Sequence, residues 1–173
     1  MSMNKVDQVP DEANFKDTPG EDHNTPVKKK EEAGIDVQIF VSARNLKNLD
    51  LFTLSDPQCT LKAKPTTIDY APFKLVGETE VIDNNLNPQW IKHFNINYEF
   101  HKDKMLLFQV WNYNSANDKD AIGEVQFKLS EIMVSQGMQV EKELFLPAKP
   151  ETSRGTIKIF ADTINKTDDS VKF

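Results

Sequence analysis

From Ile35 onwards, hydrophobic and polar residues alternate with the two-residue period of a β-strand. Val37, Ile39 and Val41 would share one face of the first strand. Similar short segments follow, rich in aromatic and β-branched residues and separated by Pro, Asn, Asp and Gly. These further segments are Gln58 to Lys64, Phe73 to Ile82, Trp90 to Asn97, Met105 to Trp111, Ile122 to Leu129, Glu141 to Leu146 and Gly155 to Ala161.

This pattern predicts an all-β fold over residues 35–164, an eight-stranded antiparallel β-sandwich. The last segment is expected to pair beside the first. One helical turn is predicted from Ser130 to Ser135, with the Ser130 hydroxyl as its N-terminal cap.

The two ends of the chain lack this periodicity. Residues 1–34 are polar and charged and contain three prolines, so ordering them would cost entropy with little apolar burial in return. We predict a disordered polar tail over residues 1–34 and a frayed polar tail over residues 165–173.

Composition narrows the possible functions. The net charge of −6 leaves no general basic field, which argues against nucleic acid as a partner. The N-terminus has no signal-peptide pattern, and Cys59 has no second cysteine for a disulfide. No apolar run approaches the roughly 20 residues of a transmembrane helix. The sequence therefore predicts a cytoplasmic protein whose membrane contact, if any, is peripheral. Three scattered histidines and no glycine-rich loop argue against an enzyme.

Acidic and amide residues concentrate in three connections, residues 48–57, 83–89 and 111–123. They follow the first, third and fifth predicted strands, and strict alternation of strand direction brings such connections to the same end of a sandwich. Carboxylate, amide and carbonyl oxygens are the ligands that Ca²⁺ prefers. The sequence therefore predicts a rim that suits a hard cation.

Each of these connections contains a recognisable motif. The three motifs are Asp50-x5-Asp56-Pro57, Asn85-Leu86-Asn87-Pro88-Gln89-Trp90 and Asp120-Ala121-Ile122-Gly123. In this order and spacing they resemble the signature of C2 domains. The resemblance covers about residues 35–164 and implies the type II permutation found in copine-like and phospholipase-like members. The stretch Gly77 to Pro88 is especially similar to the first C2 domain of copines.

The resemblance also implies a set of metal ligands. Ca²⁺-binding members use two aspartates from the first loop, here Asp50 and Asp56, and three from the third. In the third loop Asn112 and Asn114 stand at the first two places, and only Asp120 keeps a carboxylate. Because affinity in oxygen sites falls with ligand charge, Ca²⁺ binding is expected to be weak or absent.

Leu51, Phe52 and Leu54 lie between the two aspartates of the first loop, at the expected tip of the rim. At least one of them is expected to be exposed, where an apolar tip can contact a membrane. Each such side chain contributes about 1.5–3 kcal/mol when fully buried. Two functions stay open. The first is peripheral binding to an acidic phospholipid surface with weak Ca²⁺ dependence. The alternative is a Ca²⁺-independent protein–protein interaction module within a larger assembly.

Overall fold

Eight strands form two antiparallel sheets in the computed structural model, which describes residues 34–164. The predicted tails lie outside the described residues, apart from Gly34. One sheet has the strand order β4-β1-β8-β7 and the other has the order β3-β2-β5-β6, so the predicted sandwich is confirmed. In chain order the strands are β1 (Ile35–Arg44), β2 (Pro57–Pro65), β3 (Lys74–Glu78), β4 (Phe94–Tyr98), β5 (Lys104–Ser115), β6 (Asp118–Lys128), β7 (Gln139–Glu143) and β8 (Thr156–Thr163).

The core lies between the two sheets and follows the predicted alternation. Val37, Ile39 and Val41 are buried on β1, and every second residue of β8 is buried beside them. The facing sheet contributes Phe108 and Phe127, whose rings pack edge to face with centroids 5.8 Å apart.

The first and last strands pair as expected. β8 runs antiparallel to β1 in an unbroken register from Val37 opposite Thr163 to Arg44 opposite Thr156. Among the described residues, the first strand leads into the first aspartate loop and the last strand lies beside it, as the type II permutation requires.

The third connection is shorter than predicted. β5 continues to Ser115 and β6 begins at Asp118, so residues 111–123 are mostly strand and not loop. Polar residues sustain the ladder here because they interact across it: the Asn114 amide donates to Asp120, and the Lys119 ammonium lies 5.4 Å from the Tyr113 ring centroid. The period-2 alternation of polar and apolar residues could not reveal this extension.

The third predicted strand is longer than the observed one. β3 ends at Glu78, since Thr79 leaves the ladder and its hydroxyl accepts a hydrogen bond from the Cys59 N–H at 2.9 Å.

The predicted N-terminal cap of the helical turn is wrong. The helix α1 spans Leu129–Val134, which places Ser130 inside its first turn. The carboxylate of Asp103, 27 residues away, accepts hydrogen bonds from the Ser130 backbone N–H (3.0 Å) and hydroxyl (2.6 Å).

Trp90 ties the connection after β3 to the start of β2. Its ring is buried and its Nε1–H donates to the Pro57 carbonyl oxygen at 3.2 Å.

We expect Trp90→Phe to lower the free energy of unfolding by about 1–2 kcal/mol, because it removes this hydrogen bond and part of the buried ring. Urea unfolding measures the change. Trp111→Phe is the control, since the Trp111 indole is half-buried and makes no hydrogen bond within residues 34–164. Equal losses in both variants would contradict the role given to the hydrogen bond.

Candidate functional site

Three connections meet at one end of the sandwich, as predicted, and we call this end the rim. They are loop 1 (residues 45–56), loop 2 (residues 79–93) and the turn of the β5–β6 hairpin. The Asn84 side-chain oxygen accepts the Leu54 N–H at 3.2 Å, and the Asn84 N–H donates to Asp56 Oδ1 at 2.6 Å. On the other side, the Tyr113 N–H donates to the Asp56 carbonyl at 2.9 Å. Loop 1 is therefore held between the other two connections.

The side chain of Asn48 organises loop 1 from within. Its Nδ2 donates to the carbonyls of Asp50 (3.2 Å) and Thr53 (2.9 Å). Its Oδ1 accepts the N–H groups of Asp50 (3.2 Å) and Ser55 (2.9 Å). The buried Ser55 hydroxyl accepts the Leu49 N–H at 2.9 Å. One amide thus satisfies backbone groups on both sides of the loop, which is the local bonding that favours Asn in turns.

The tip of loop 1 projects its apolar side chains into solvent. Leu51 is 91% exposed, Phe52 is 99% exposed and Leu54 is 43% exposed. The exposure expected from the sequence is confirmed, while contact of these residues with a membrane stays a prediction. Neighbouring large apolar side chains with this exposure are typical of binding surfaces.

Loop 2 is fixed against loop 1 by asparagines in the left-handed backbone region. Asn45 has φ of 53° and Asn84 has φ of 50°, a conformation that Asn tolerates better than most residues. The Asn87 Oδ1 accepts the Asn45 N–H at 2.9 Å, and the Leu46 N–H donates to the Leu86 carbonyl at 3.0 Å. The predicted site set did not include Asn48 or Asn84. The Asn-x-Asp spacing of Asn48 and Asp50, typical of a side-chain-closed turn, is the signal that could have identified the first.

Asn112 lies at the centre of the predicted site. Only 1% of its surface is exposed, and it occupies the rim end of β5. Its Nδ2 donates to Asp50 Oδ1 at 2.8 Å, and its Oδ1 accepts the Asp56 N–H at 2.7 Å. The structure therefore brings Asp50, Asp56 and Asn112 together through direct hydrogen bonds.

The two other predicted ligands form a separate pair on the hairpin. The Nδ2 of Asn114 donates to Asp120 Oδ2 at 3.0 Å, and both side chains are exposed. Asp120 lies opposite Asn112 in the β5–β6 ladder. The five predicted residues thus share one end of the sandwich but divide into two groups: buried Asn112 with half-buried Asp50 and Asp56, and the exposed pair Asn114 and Asp120.

This donor arrangement does not fit a bound cation as it stands. Asn112 and Asn114 each direct an amide N–H at an aspartate, where a metal ligand would direct an oxygen. Within residues 34–164, no three His, Cys, Asp or Glu side chains form a group that could hold a metal ion. The five-residue Ca²⁺ site stays a prediction, and its ligation requires the amides to turn.

Cys59 contributes no chemistry at the rim. It lies in β2 and is fully buried, as expected for a small apolar residue. Burial raises the pKa of the Cys59 thiol, so the nucleophilic thiolate is suppressed.

Glu80 anchors the return of loop 2 toward β4. Its carboxylate accepts the backbone N–H groups of Ile91 (2.5 Å) and Lys92 (3.1 Å). Desolvation by burial opposes ionisation, but the hydrogen bonds and the Lys92 charge outweigh it and hold the pKa of the Glu80 carboxyl below its ordinary value of 4.5.

Comparison with known proteins finds a matching family model and longer relatives that contain a similar region. The C2 domain family model matches residues 36–144. Copine-E of Dictyostelium discoideum is 32% identical over 138 residues, covering 78% of this chain and 23% of the copine. Copine-A of the same organism is 28% identical over 137 residues, covering 79% of this chain and 22% of the copine. The chain thus spans less than a quarter of the length of these relatives.

Solved structures show the same fold at lower identity. A C2 domain of plant Extended Synaptotagmin 1 matches with a TM-score of 0.58 and 22% identity, covering 78% of this chain and 99% of that domain. Human GIVD cytosolic phospholipase A2 matches with a TM-score of 0.52 and 20% identity, covering 78% of this chain and 17% of the phospholipase. These matches support the sandwich architecture.

Removing the Asn48 amide should loosen loop 1. We expect Asn48→Ala to lower the free energy of unfolding by about 1–3 kcal/mol, because backbone groups of a half-buried loop lose their partners. Urea unfolding measures the loss, and limited proteolysis should cut between residues 49 and 54 faster than in the wild type. Asn95→Ala is the matched control, since Asn95 is exposed on β4 and its side chain makes no hydrogen bond within the described part of the chain. Unchanged cleavage in Asn48→Ala would contradict this role.

The lowered pKa of Glu80 predicts a pH-dependent contribution to stability. The ionised carboxylate stabilises the fold fully above pH 4.5, and the contribution is lost as the pH falls through the lowered pKa. Glu80→Gln should therefore be less stable than the wild type at pH 7, and the difference should shrink under acid. Thermal unfolding across pH 3–7 measures it, with the exposed Glu151→Gln as control. A difference that stayed constant down to the lowest pH would contradict the assignment.

Proposed function

Because the chain belongs to the C2 domain family, we propose that it docks peripherally on phospholipid membranes through the tip of loop 1. C2 domains bind phospholipid membranes or proteins. The observation that carries the proposal is the near-complete exposure of Leu51 and Phe52 on a loop whose backbone is fixed by Asn48. The proposed role is non-catalytic and places the protein in the cytoplasm, at the membrane surface.

The energetics favour reversible binding. Full burial of Leu51 and Phe52 in the lipid interface would contribute roughly 3–6 kcal/mol together. This is comparable to the marginal anchoring that a single acyl chain provides. Since the loop is already ordered by hydrogen bonds, little further entropy is lost on insertion.

Charge at the rim sets the lipid preference. Asp50, Asp56 and Asp120 face the same end as the apolar tip, and the whole chain carries a net charge of −6. Binding to acidic lipid therefore requires a positive charge near these aspartates, and neutral amides carry no net charge. We propose that insertion of the tip provides most of the binding, that Ca²⁺ dependence is weak or absent, and that acidic headgroups add little without a metal.

The described residues contain no helix long and apolar enough to cross a membrane. Peripheral contact through the rim is the mode of membrane association that we propose.

A second candidate is the Ca²⁺-independent protein interaction module, which an aromatic patch on the outer face of the β4-β1-β8-β7 sheet supports. The Phe40 ring packs 5.1 Å from the His93 ring and 5.8 Å from the Phe160 ring, measured between centroids. Phe160 remains 40% exposed, and the Gln38 amide lies 3.1 Å from His93 Nε2. Exposed aromatic rings on a flat sheet face are typical of protein contacts.

Phe52→Ala tests the membrane proposal directly. We expect it to weaken sedimentation with phosphatidylcholine vesicles about tenfold or more in the presence of chelator, because the inserted ring is lost. The fold should be unaffected, since Phe52 makes almost no contact with the core. Phe100→Ala is the matched control: this ring is also exposed but lies on the β4–β5 connection, at the end opposite the rim.

Sedimentation with vesicles of two compositions, with and without Ca²⁺, separates the two candidate functions. Replacing part of the phosphatidylcholine by phosphatidylserine should leave wild-type binding in chelator unchanged or weaker. If the wild type sediments with neither vesicle, with or without Ca²⁺, membrane docking is wrong and the interaction module is favoured.

A further inference from the structure

We infer that Asn112 acts as a built-in substitute for a cross-linking cation, so that loop 1 is held closed without metal. The amide lies on β5 and contacts loop 1 at two points six positions apart in sequence, Asp50 and Asp56. No other amide side chain of residues 34–164 bonds to both of these aspartates.

The chemistry of the two contacts explains why an amide suits this place. Asp50 presents a carboxylate oxygen, which needs a donor, and Asp56 presents a backbone N–H, which needs an acceptor. A primary amide offers both functions on one planar group. Asn112 is 1% exposed, so water cannot substitute for either function at low cost.

The same contacts work against a cation. A metal ion between Asp50 and Asn112 would face the Nδ2–H group, whose hydrogens carry partial positive charge. Rotating the amide to offer its oxygen would remove the donor from Asp50 and direct an N–H at the Asp56 N–H. Metal binding therefore competes with the hydrogen bonds that close the loop.

Asn114 provides an internal comparison. Its amide bonds to Asp120 in the same hairpin, is exposed, and joins no second connection of the rim. Its loss would leave loop 1 attached. Of these two asparagines on the hairpin, Asn112 is therefore the one that helps to position the tip.

The functional consequence rests on the proposed function. If the tip of loop 1 docks on lipid, Asn112 keeps Leu51 and Phe52 presented at all times, so that docking is constitutive and not gated by Ca²⁺. The positioning of the loop itself can be measured without any membrane.

The test is Asn112→Asp in the full chain, studied by amide hydrogen exchange of residues 48–56 in EDTA and in about 1 mM Ca²⁺, a concentration that saturates all but the weakest oxygen sites. In wild type, loop 1 should be equally protected in both conditions. In Asn112→Asp, the new carboxylate faces Asp50, so protection should fall at least about tenfold in EDTA. Ca²⁺ should restore it, because the cation neutralises both carboxylates. Calorimetric titration should show Ca²⁺ affinity at least about tenfold higher than in wild type, since ligand charge is added.

Two variants keep the result interpretable. Asn112→Ala removes the bridge without adding charge, so its loop should loosen and Ca²⁺ should not restore it. Asn114→Asp adds a carboxylate elsewhere on the rim and should leave loop 1 protected in EDTA. If Asn112→Asp unfolds in EDTA, refolding on addition of Ca²⁺ supports the proposal and failure to refold overturns it.

Failure of the proposed function would look different from failure of this inference. Loss of vesicle binding with intact Ca²⁺ rescue of Asn112→Asp would remove membrane docking and keep Asn112 as the loop cross-link. Retained loop protection of Asn112→Asp in EDTA, or wild-type protection that rises with Ca²⁺, would overturn the inference whatever the vesicles show.

Discussion

Burial of one face of each strand between two sheets is the constraint on which the rest of the structure depends. Because consecutive strands alternate in direction, every connection must lie at one end of the sandwich or the other. The connections after β1, β3 and β5 therefore meet, although they come from residues far apart in sequence. Once they meet, polar groups of loop 1 are partly removed from water and need partners nearby. Asn48, Asn84 and Asn112 supply those partners, so the amides at the rim are a consequence of its geometry.

Neutral amides give this rim a different character from a rim of carboxylates. A cluster of aspartates repels itself and stays open until a cation neutralises it. An amide placed among aspartates donates to one group and accepts from another, so the cluster closes on its own. The exposed apolar tip then lies on a loop that is already ordered. The family resemblance and the hydrogen bonds of the rim amides therefore both indicate the tip of loop 1 as the binding surface.

The sequence predicted the sandwich and the convergence of its connections, because alternation and turn residues are local signals of strand and reversal. It also predicted that at least one apolar residue at the tip of loop 1 is exposed, and Leu51 and Phe52 are almost fully so. The extension of β5 and β6 was missed because the polar residues at these strand ends carry no hydrophobic period. The capping role of Asp103 was missed for a related reason, since its partner is 27 residues away. The direction of the Asn112 amide depends on Asp50 and Asp56 together, which no spacing rule encodes.

The distant cap of α1 has a consequence for how the domain assembles. A helix of six residues is too short to persist alone, and its first turn relies on a carboxylate from the connection that precedes β5. Pairing of β5 with β6 brings Asp103 to Ser130, so this cap becomes available only when the hairpin forms. Helical signal in this all-β domain would therefore follow the pairing of two strands at the end away from the rim.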